Sequence, residues 1–140
     1  MDNNRSYCAY FWSHFSIRAN RRVQPCCRFD STDFQLFIDQ SVENNPLEKV
    51  QFKNLRDQSL AGELISGCQK CYDQEDSGIL SLREIANRKL ADQVITDRLM
   101  LKSLELFVGN ACNLKCISCN PGLSSKWAED YKQMGAPIQD

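Results

Sequence analysis

Three cysteines, Cys112, Cys116 and Cys119, follow directly on an apolar run from Leu104 to Val108. This stretch constrains the chain more than any other. A run of that kind is a strand, the cysteines sit in the turn that leaves it, and Asn120-Pro121 opens a helix beyond. Thiolates spaced Cys-x3-Cys-x2-Cys can wrap one small metal centre within a single loop. They leave a coordination position that the loop does not fill, and metal chemistry needs an open position to reach substrate. A structural zinc site needs a fourth ligand close by, and no His or Cys lies between Cys119 and Asp140.

Eight cysteines in 140 residues is a heavy load. The N-terminal Met-Asp-Asn-Asn-Arg-Ser has no apolar signal core, and no apolar stretch is long enough to span a bilayer. The expected setting is therefore soluble and cytoplasmic. In that reducing compartment the thiols are metal ligands rather than four disulfides. The net charge is -1 with both signs interspersed, which gives no basis for nucleic acid as a partner.

The pattern along the chain is that of an α+β protein without repeats. Residues 1–7 are polar and expected to be mobile. From His14 to Asn20 apolar and polar residues alternate, with Phe15, Ile17 and Ala19 on one face of a half-buried strand. Val23 to Phe29 reads as a second strand of a hairpin, at a sheet edge because of Pro25. Residues 30–45 read as an irregular connection. Asn45-Pro46-Leu47-Glu48 is a helix start, with Leu47, Val50, Leu55 and Leu60 as its apolar face and Gly62 as its end. Ser81-Leu-Arg-Glu84 is a capping box for a helix running to about Leu90. Residues 92–102 link to a strand over 103–108. A closing helix then carries Leu123, Trp127, Tyr131 and Met134 on one face, stopped by Gly135 and Pro137.

The hairpin brings Cys26 and Cys27 back near Cys8, and Gly67-Cys68-Gln-Lys-Cys71-Tyr72 adds a Cys-x2-Cys knuckle. Cys8, one of Cys26 and Cys27, Cys68 and Cys71 make a complete four-thiolate set. A fully ligated set suits an electron-transfer or structural cluster. Adjacent strand residues point to opposite faces, so one of Cys26 and Cys27 is spare and reads as a small buried apolar residue.

The Cys112-Cys116-Cys119 loop resembles the cluster-binding motif of radical S-adenosylmethionine enzymes. The position before its last cysteine, usually bulky in that superfamily, is Ser118. The resemblance implies a [4Fe-4S] cluster on Cys112, Cys116 and Cys119. Its fourth iron would bind S-adenosylmethionine, which is cleaved reductively to a 5′-deoxyadenosyl radical. The N-terminal part resembles the auxiliary-cluster domain of the twitch (half-SPASM) proteins: Cys8 with Trp12, Val23-Gln-Pro25-Cys26-Cys27, Asn54-Leu-Arg56 with Gly62-Glu63, Gly67-Cys68-Gln-Lys-Cys71-Tyr72, Ser77-Gly78 with Ser81-Leu-Arg83, and later Pro121 with Ser124-Ser125-Lys-Trp127. A hairpin glycine of that family, replaced here by Arg21, selects Cys26 as the fourth auxiliary ligand.

The resemblance implies a small twitch/SPASM-like auxiliary iron–sulfur domain over 1–92, a β-hairpin plus helices. Residues 93–140 would supply the first strand, cluster loop and helix of a radical S-adenosylmethionine (β/α)6 barrel. Most of that barrel, including a Gly-Gly-Glu type stretch, is missing. The expectation is a fragment, truncated product or half of a split enzyme that is not competent alone. The implied cofactors are one or two [4Fe-4S] clusters and S-adenosylmethionine. The implied partners are a reducing protein such as flavodoxin or ferredoxin, a peptide substrate and a complementary barrel chain.

Two other readings fit the cysteines. A zinc-binding interaction module could pair Cys68/Cys71 with Cys116/Cys119, leaving Cys112 over. A dithiol redox protein could use Cys68-Gln-Lys-Cys71, without the βαβ setting such motifs need. His14, on a strand face beside Ser16 and Arg18, reads as structural, and Trp127 and Tyr131 read as core. Arg18, Arg21, Arg22 and Arg28 read as a solvated basic face. Glu75-Asp76 reads as a helix-terminus feature.

Overall fold

The computed structural model describes residues 4–38, 45–92 and 97–137. It is α+β and divides into two compact units, Met1–Phe107 and Val108–Asp140. Among the described residues no helix is long and apolar enough to cross a membrane.

The first unit is built on a three-stranded sheet ordered β2-β1-β3. A short helix α1, Tyr10–Ser13, runs straight into β1, His14–Ile17. β2, Val23–Gln24, returns antiparallel, with Ile17 opposite Val23. It ends two residues in because Pro25 offers no N–H to the ladder and Cys26 opens a turn, its carbonyl accepting from the Phe29 N–H at 3.2 Å. The strand expected over 23–29 is therefore mostly turn. β3, Ser103–Leu106, lies parallel to β1, with His14 opposite Ser103 and Ile17 opposite Leu106. The strand expected to open the C-terminal region thus pairs inside the first unit's sheet, which makes β1 central. His14, Phe15 and Ser16 are all buried, where alternation implied one wet face.

Asn45 accepts from the Leu47 N–H at 3.1 Å, and Pro46 takes the first helical position, as expected. The turn they start, Pro46–Glu48, is a separate 3-10 turn. Lys49 is extended, and only then does α2, Val50–Ala61, begin. The break shifts the helical phase, so Phe52 and Leu55 are buried while Val50 and Leu60 are exposed. Gly62 ends α2 in the left-handed region, φ 78°, where a side chain would be strained. After a 3-10 turn, Ser66–Cys68, comes α3, Gln69–Asp76, a helix the sequence reading had left as a bare knuckle. α4, Leu82–Leu90, has both bonds of the Ser81–Glu84 capping box.

The core is aromatic: Phe11, Trp12, Phe15, Phe29, Phe34 and Phe52 pack with Val23, Leu47, Leu55 and Ile65. Arg56 reaches in from α2 to donate to the Phe11 and Leu47 carbonyls. The N-terminal segment is anchored where mobility was expected. Asn4 Nδ2 and Ser6 Oγ both donate to the Ser59 carbonyl, and Ser6 is buried. Residues 1–3 lie outside the described residues, as do 39–44 and 93–96 of the two connections.

In the second unit, Asn120 Oδ1 accepts from the Gly122 N–H and closes a turn. The helix α5, Ser125–Gln133, starts only after it, not at Asn120-Pro121. α5 has no buried residue: Trp127 and Tyr131 are half-buried, while Leu123 and Met134 are exposed. One helix and one loop have nothing to close a core against, which is why the expected core face stays open.

Candidate metal centre

Cys8, Cys26, Cys68 and Cys71 come from three separate segments of the first unit and line one small cavity. Cys8 lies just before α1, Cys26 opens the turn after β2, Cys68 caps α3 and Cys71 sits in its first turn. Phe11, Pro25, Phe29 and Leu82 supply apolar walls, and Arg28 and Arg83 reach the same cavity. Gly67 is required here by close approach. A Cβ on it would lie 2.3 Å from the Phe29 ring.

All four thiols are free of disulfides. Burial pushes the Cys26 and Cys68 thiols up to about 12, and pushes Cys8 well above its ordinary value. Neighbouring thiols add to the rise at Cys8, Cys26 and Cys68, since thiolates in one dry cavity repel. Backbone N–H groups oppose that trend locally. The backbone N–H of Tyr10 lowers the Cys8 thiol pKa and those of Arg28 and Phe29 lower that of Cys26, against the larger effect of burial. Such donors stabilise thiolate, the form that ligates metal, and N–H···S bonds to ligand sulfurs tune iron–sulfur clusters.

Cys27 turns away from this cavity. It is exposed, burial and the nearby Glu105 carboxylate push its thiol up, and Arg18 donates to its carbonyl. Of the vicinal pair, Cys26 is the one that faces the other three.

Among the described residues, no three or more His, Cys, Asp or Glu side chains form a ready site for a metal ion. A single tetrahedral zinc needs four sulfurs about 2.3 Å from one point. A cluster takes one thiolate per iron and so holds its ligands further apart. Four thiols from three segments lining one cavity meet the donor requirement of either. Four cysteines with Arg28 and Arg83 beside them are a donor set that fits an iron–sulfur group.

The remaining three cysteines are together in the second unit, where the Cys119 N–H donates to the Cys116 carbonyl at 3.0 Å. The start of α5 braces their loop. Ser125 Oγ accepts from the Cys112 N–H at 3.2 Å and donates to the Cys112 carbonyl at 3.0 Å. Ser124 Oγ donates to the Leu114 carbonyl, and Trp127 Nε1 donates to the Cys116 carbonyl at 3.0 Å. Lys115 pairs with Asp130 at 2.7 Å. Trp127, read from helical spacing as core, is thus a loop-holding residue. Cys116 is exposed and Cys112 and Cys119 are half-exposed, so the face of the loop is open to a ligand.

Other singled-out residues have local duties. His14 is buried, its Nδ1 2.7 Å from Ser103 Oγ and its ring stacked on Tyr10. Arg22 donates to Ser31 and Gln35, and Arg18 lies over the Phe107 ring, so two of the four arginines are engaged locally. Glu75 and Asp76 close α3, and Glu75 pairs with Arg83. The raised Cys68 thiol is the opposite of the lowered one a dithiol redox motif requires. Asn87 was missed from the sequence. It accepts from the Ala9 N–H at 2.8 Å and donates to the Tyr7 carbonyl at 2.9 Å, flanking Cys8 on both sides. Its spacing of four from Arg83 on one helix was the available signal.

No protein-family model, curated protein or solved structure matches the chain, so its functional reading rests on its own residues and geometry.

Proposed function

We propose that the chain is an iron–sulfur protein of the radical S-adenosylmethionine type, with a twitch-like auxiliary site in its first unit. The observation that carries the reading is the partition of the cysteines. Four from three segments of the first unit line one cavity, and three more belong to one braced loop of the second unit. Cys8, Cys26, Cys68 and Cys71 would hold the fully ligated auxiliary cluster. Cys112, Cys116 and Cys119 would hold a [4Fe-4S] cluster whose remaining iron takes S-adenosylmethionine. When bound, that pair supplies one-electron reductive cleavage of the sulfonium, and hence radical chemistry on a substrate.

The protein's own part is to hold and shield. Ser125, Ser124 and Trp127 fix the Cys112, Leu114 and Cys116 carbonyls, which sets the loop that presents the three sulfurs. In the first unit, the phenyl rings of Phe11 and Phe29 keep water from the auxiliary sulfurs. A cytoplasmic setting, a flavodoxin or ferredoxin as electron donor and a peptide substrate follow from the same reading. One strand–loop–helix stretch supplies only a part of a (β/α)6 barrel, so the reading places the chemistry in a larger assembly that includes a complementary barrel segment.

The test is spectroscopic. Reconstituted anaerobically, the protein should show a reduced-cluster electron paramagnetic resonance signal that changes on adding S-adenosylmethionine. Replacing Cys112, Cys116 and Cys119 by Ala should abolish that change and leave a signal from the first unit. A colourless protein that binds zinc and no iron would instead favour the interaction module.

A further inference from the structure

Resting on that reading of the four-cysteine cavity, we infer that Arg83 and Asn87 are positioning residues for the auxiliary cluster, and that the Arg83–Glu75 pair sets its reduction potential. Both residues project from α4, one helical turn apart, and neither supplies a ligand atom. Arg83 ties together two ligand-bearing segments. Its Nη1 donates to the Tyr7 carbonyl, next to Cys8, at 2.9 Å. Its Nε and Nη2 form a fork on Glu75 at 2.9 and 2.6 Å, on the helix that carries Cys71. Asn87 completes the hold on Cys8 by bonding the backbone on either side of it. The distance between Cys8 and the Cys68/Cys71 pair is therefore set by α4 rather than by the sulfurs themselves.

The electrostatic part follows from burial. Side-chain exposure is 10% for Arg83 and 11% for Glu75, so their fields are poorly screened by water. Arg83 borders the cavity directly, and Glu75 lies behind it on the fork. A four-thiolate cluster carries net negative charge, which increases on reduction. A cation beside it favours the reduced form, and a carboxylate behind that cation disfavours it. The pair therefore works as an adjustable bias: losing the carboxylate raises the potential, and losing the guanidinium lowers it.

The experiment uses the full chain, reconstituted with iron and sulfide, with Cys112, Cys116 and Cys119 replaced by Ala so that only the first unit's cluster is read. The potential is taken from a redox titration followed by electron paramagnetic resonance, and retention from iron loss to a chelator. Glu75→Gln should give a potential above that of the parent, and Arg83→Gln one below it. Arg83→Lys should restore much of the potential but release iron faster, because a point charge cannot hold the fork. Asn87→Ala should release iron several-fold faster with the smallest change in potential. If Arg83→Gln fails to fold, the Glu75→Gln potential and the Asn87→Ala retention decide the matter. Potentials and retention equal to the parent's in those two variants would overturn the inference while leaving the cluster assignment standing. A parent chain that takes up no iron would overturn the assignment and the inference with it.

Discussion

Arg21 is the one described non-glycine residue with a positive φ, 66°. A left-handed conformation costs an ordinary side chain roughly 1–2 kcal/mol. Arg21→Gly is expected to stabilise the first unit by about 1 kcal/mol, seen as a higher urea midpoint. The paired cysteines part at the same scale. Cys26→Ser should lower the iron bound by the first unit, whereas Cys27→Ser should leave it unchanged. The raised thiols also fix a pH dependence. In the metal-free protein, Cys26 and Cys68 titrate near 12 against an ordinary 9, and Cys8 is raised as well. The folded state holds these protons more tightly than the unfolded chain. Its stability is therefore fully present below pH 9 and lost as pH climbs toward 12. Urea midpoints of the apo protein should fall across that window, and the Cys68→Ala protein should show a shallower fall. That Cys8, Cys68, Cys71 and one of Cys26 and Cys27 would group was legible from the hairpin and the Cys-x2-Cys knuckle, whereas spacing alone left the choice within the pair open. The part played by Asn87 was not, because an asparagine that bonds two backbone groups looks like any surface asparagine until the fold brings residues 7–9 to it.

Elements announced themselves where local chemistry decides them. The capping box at Ser81–Glu84, the Asn45 cap and the Gly62 stop depend only on neighbours, and all three form as read. The apolar face of α2 did not follow, because an extended Lys49 breaks the phase between Leu47 and Phe52, and no residue type marks such a break. β1 misled for the opposite reason. Alternation describes a half-buried strand, but β3 arrives from almost ninety positions later and makes β1 central. The Ser66–Cys68 turn leading into α3 offers a sharp test. Gly67→Ala would drive a methyl into the Phe29 ring, at 2.3–2.7 Å from three of its carbons. Overpacking of this kind costs about 1–3 kcal/mol. The variant should show a lower urea midpoint and reduced iron uptake in the first unit. The companion variant Phe29→Leu with Gly67→Ala should recover part of the stability. In the second unit, Ser125→Ala removes both bonds to Cys112. Iron should then be lost from the three-cysteine loop and retained in the first unit, as read by iron content and electron paramagnetic resonance.

At the scale of the molecule, the two units are unequally finished. The first has an aromatic core and a sheet, and four of its five cysteines line one small cavity. The second has one helix without a buried residue, with Val108 94% and Ile117 99% exposed. On the proposed reading both units bind a cluster, and the second needs further structure around its loop for chemistry rather than for holding iron. The inequality also explains what sequence could say. Ligand spacing within a loop is local and readable, whereas the boundary between units depends on where β3 pairs. The most direct measurement is iron and sulfide per chain after anaerobic reconstitution. The native sequence is compared with two variants, one with Cys112, Cys116 and Cys119 replaced by Ala and one with Cys68 and Cys71 replaced by Ala. The account predicts about eight irons for the native chain and about four for each variant. Zinc without iron, or iron content indifferent to both sets of replacements, would contradict it.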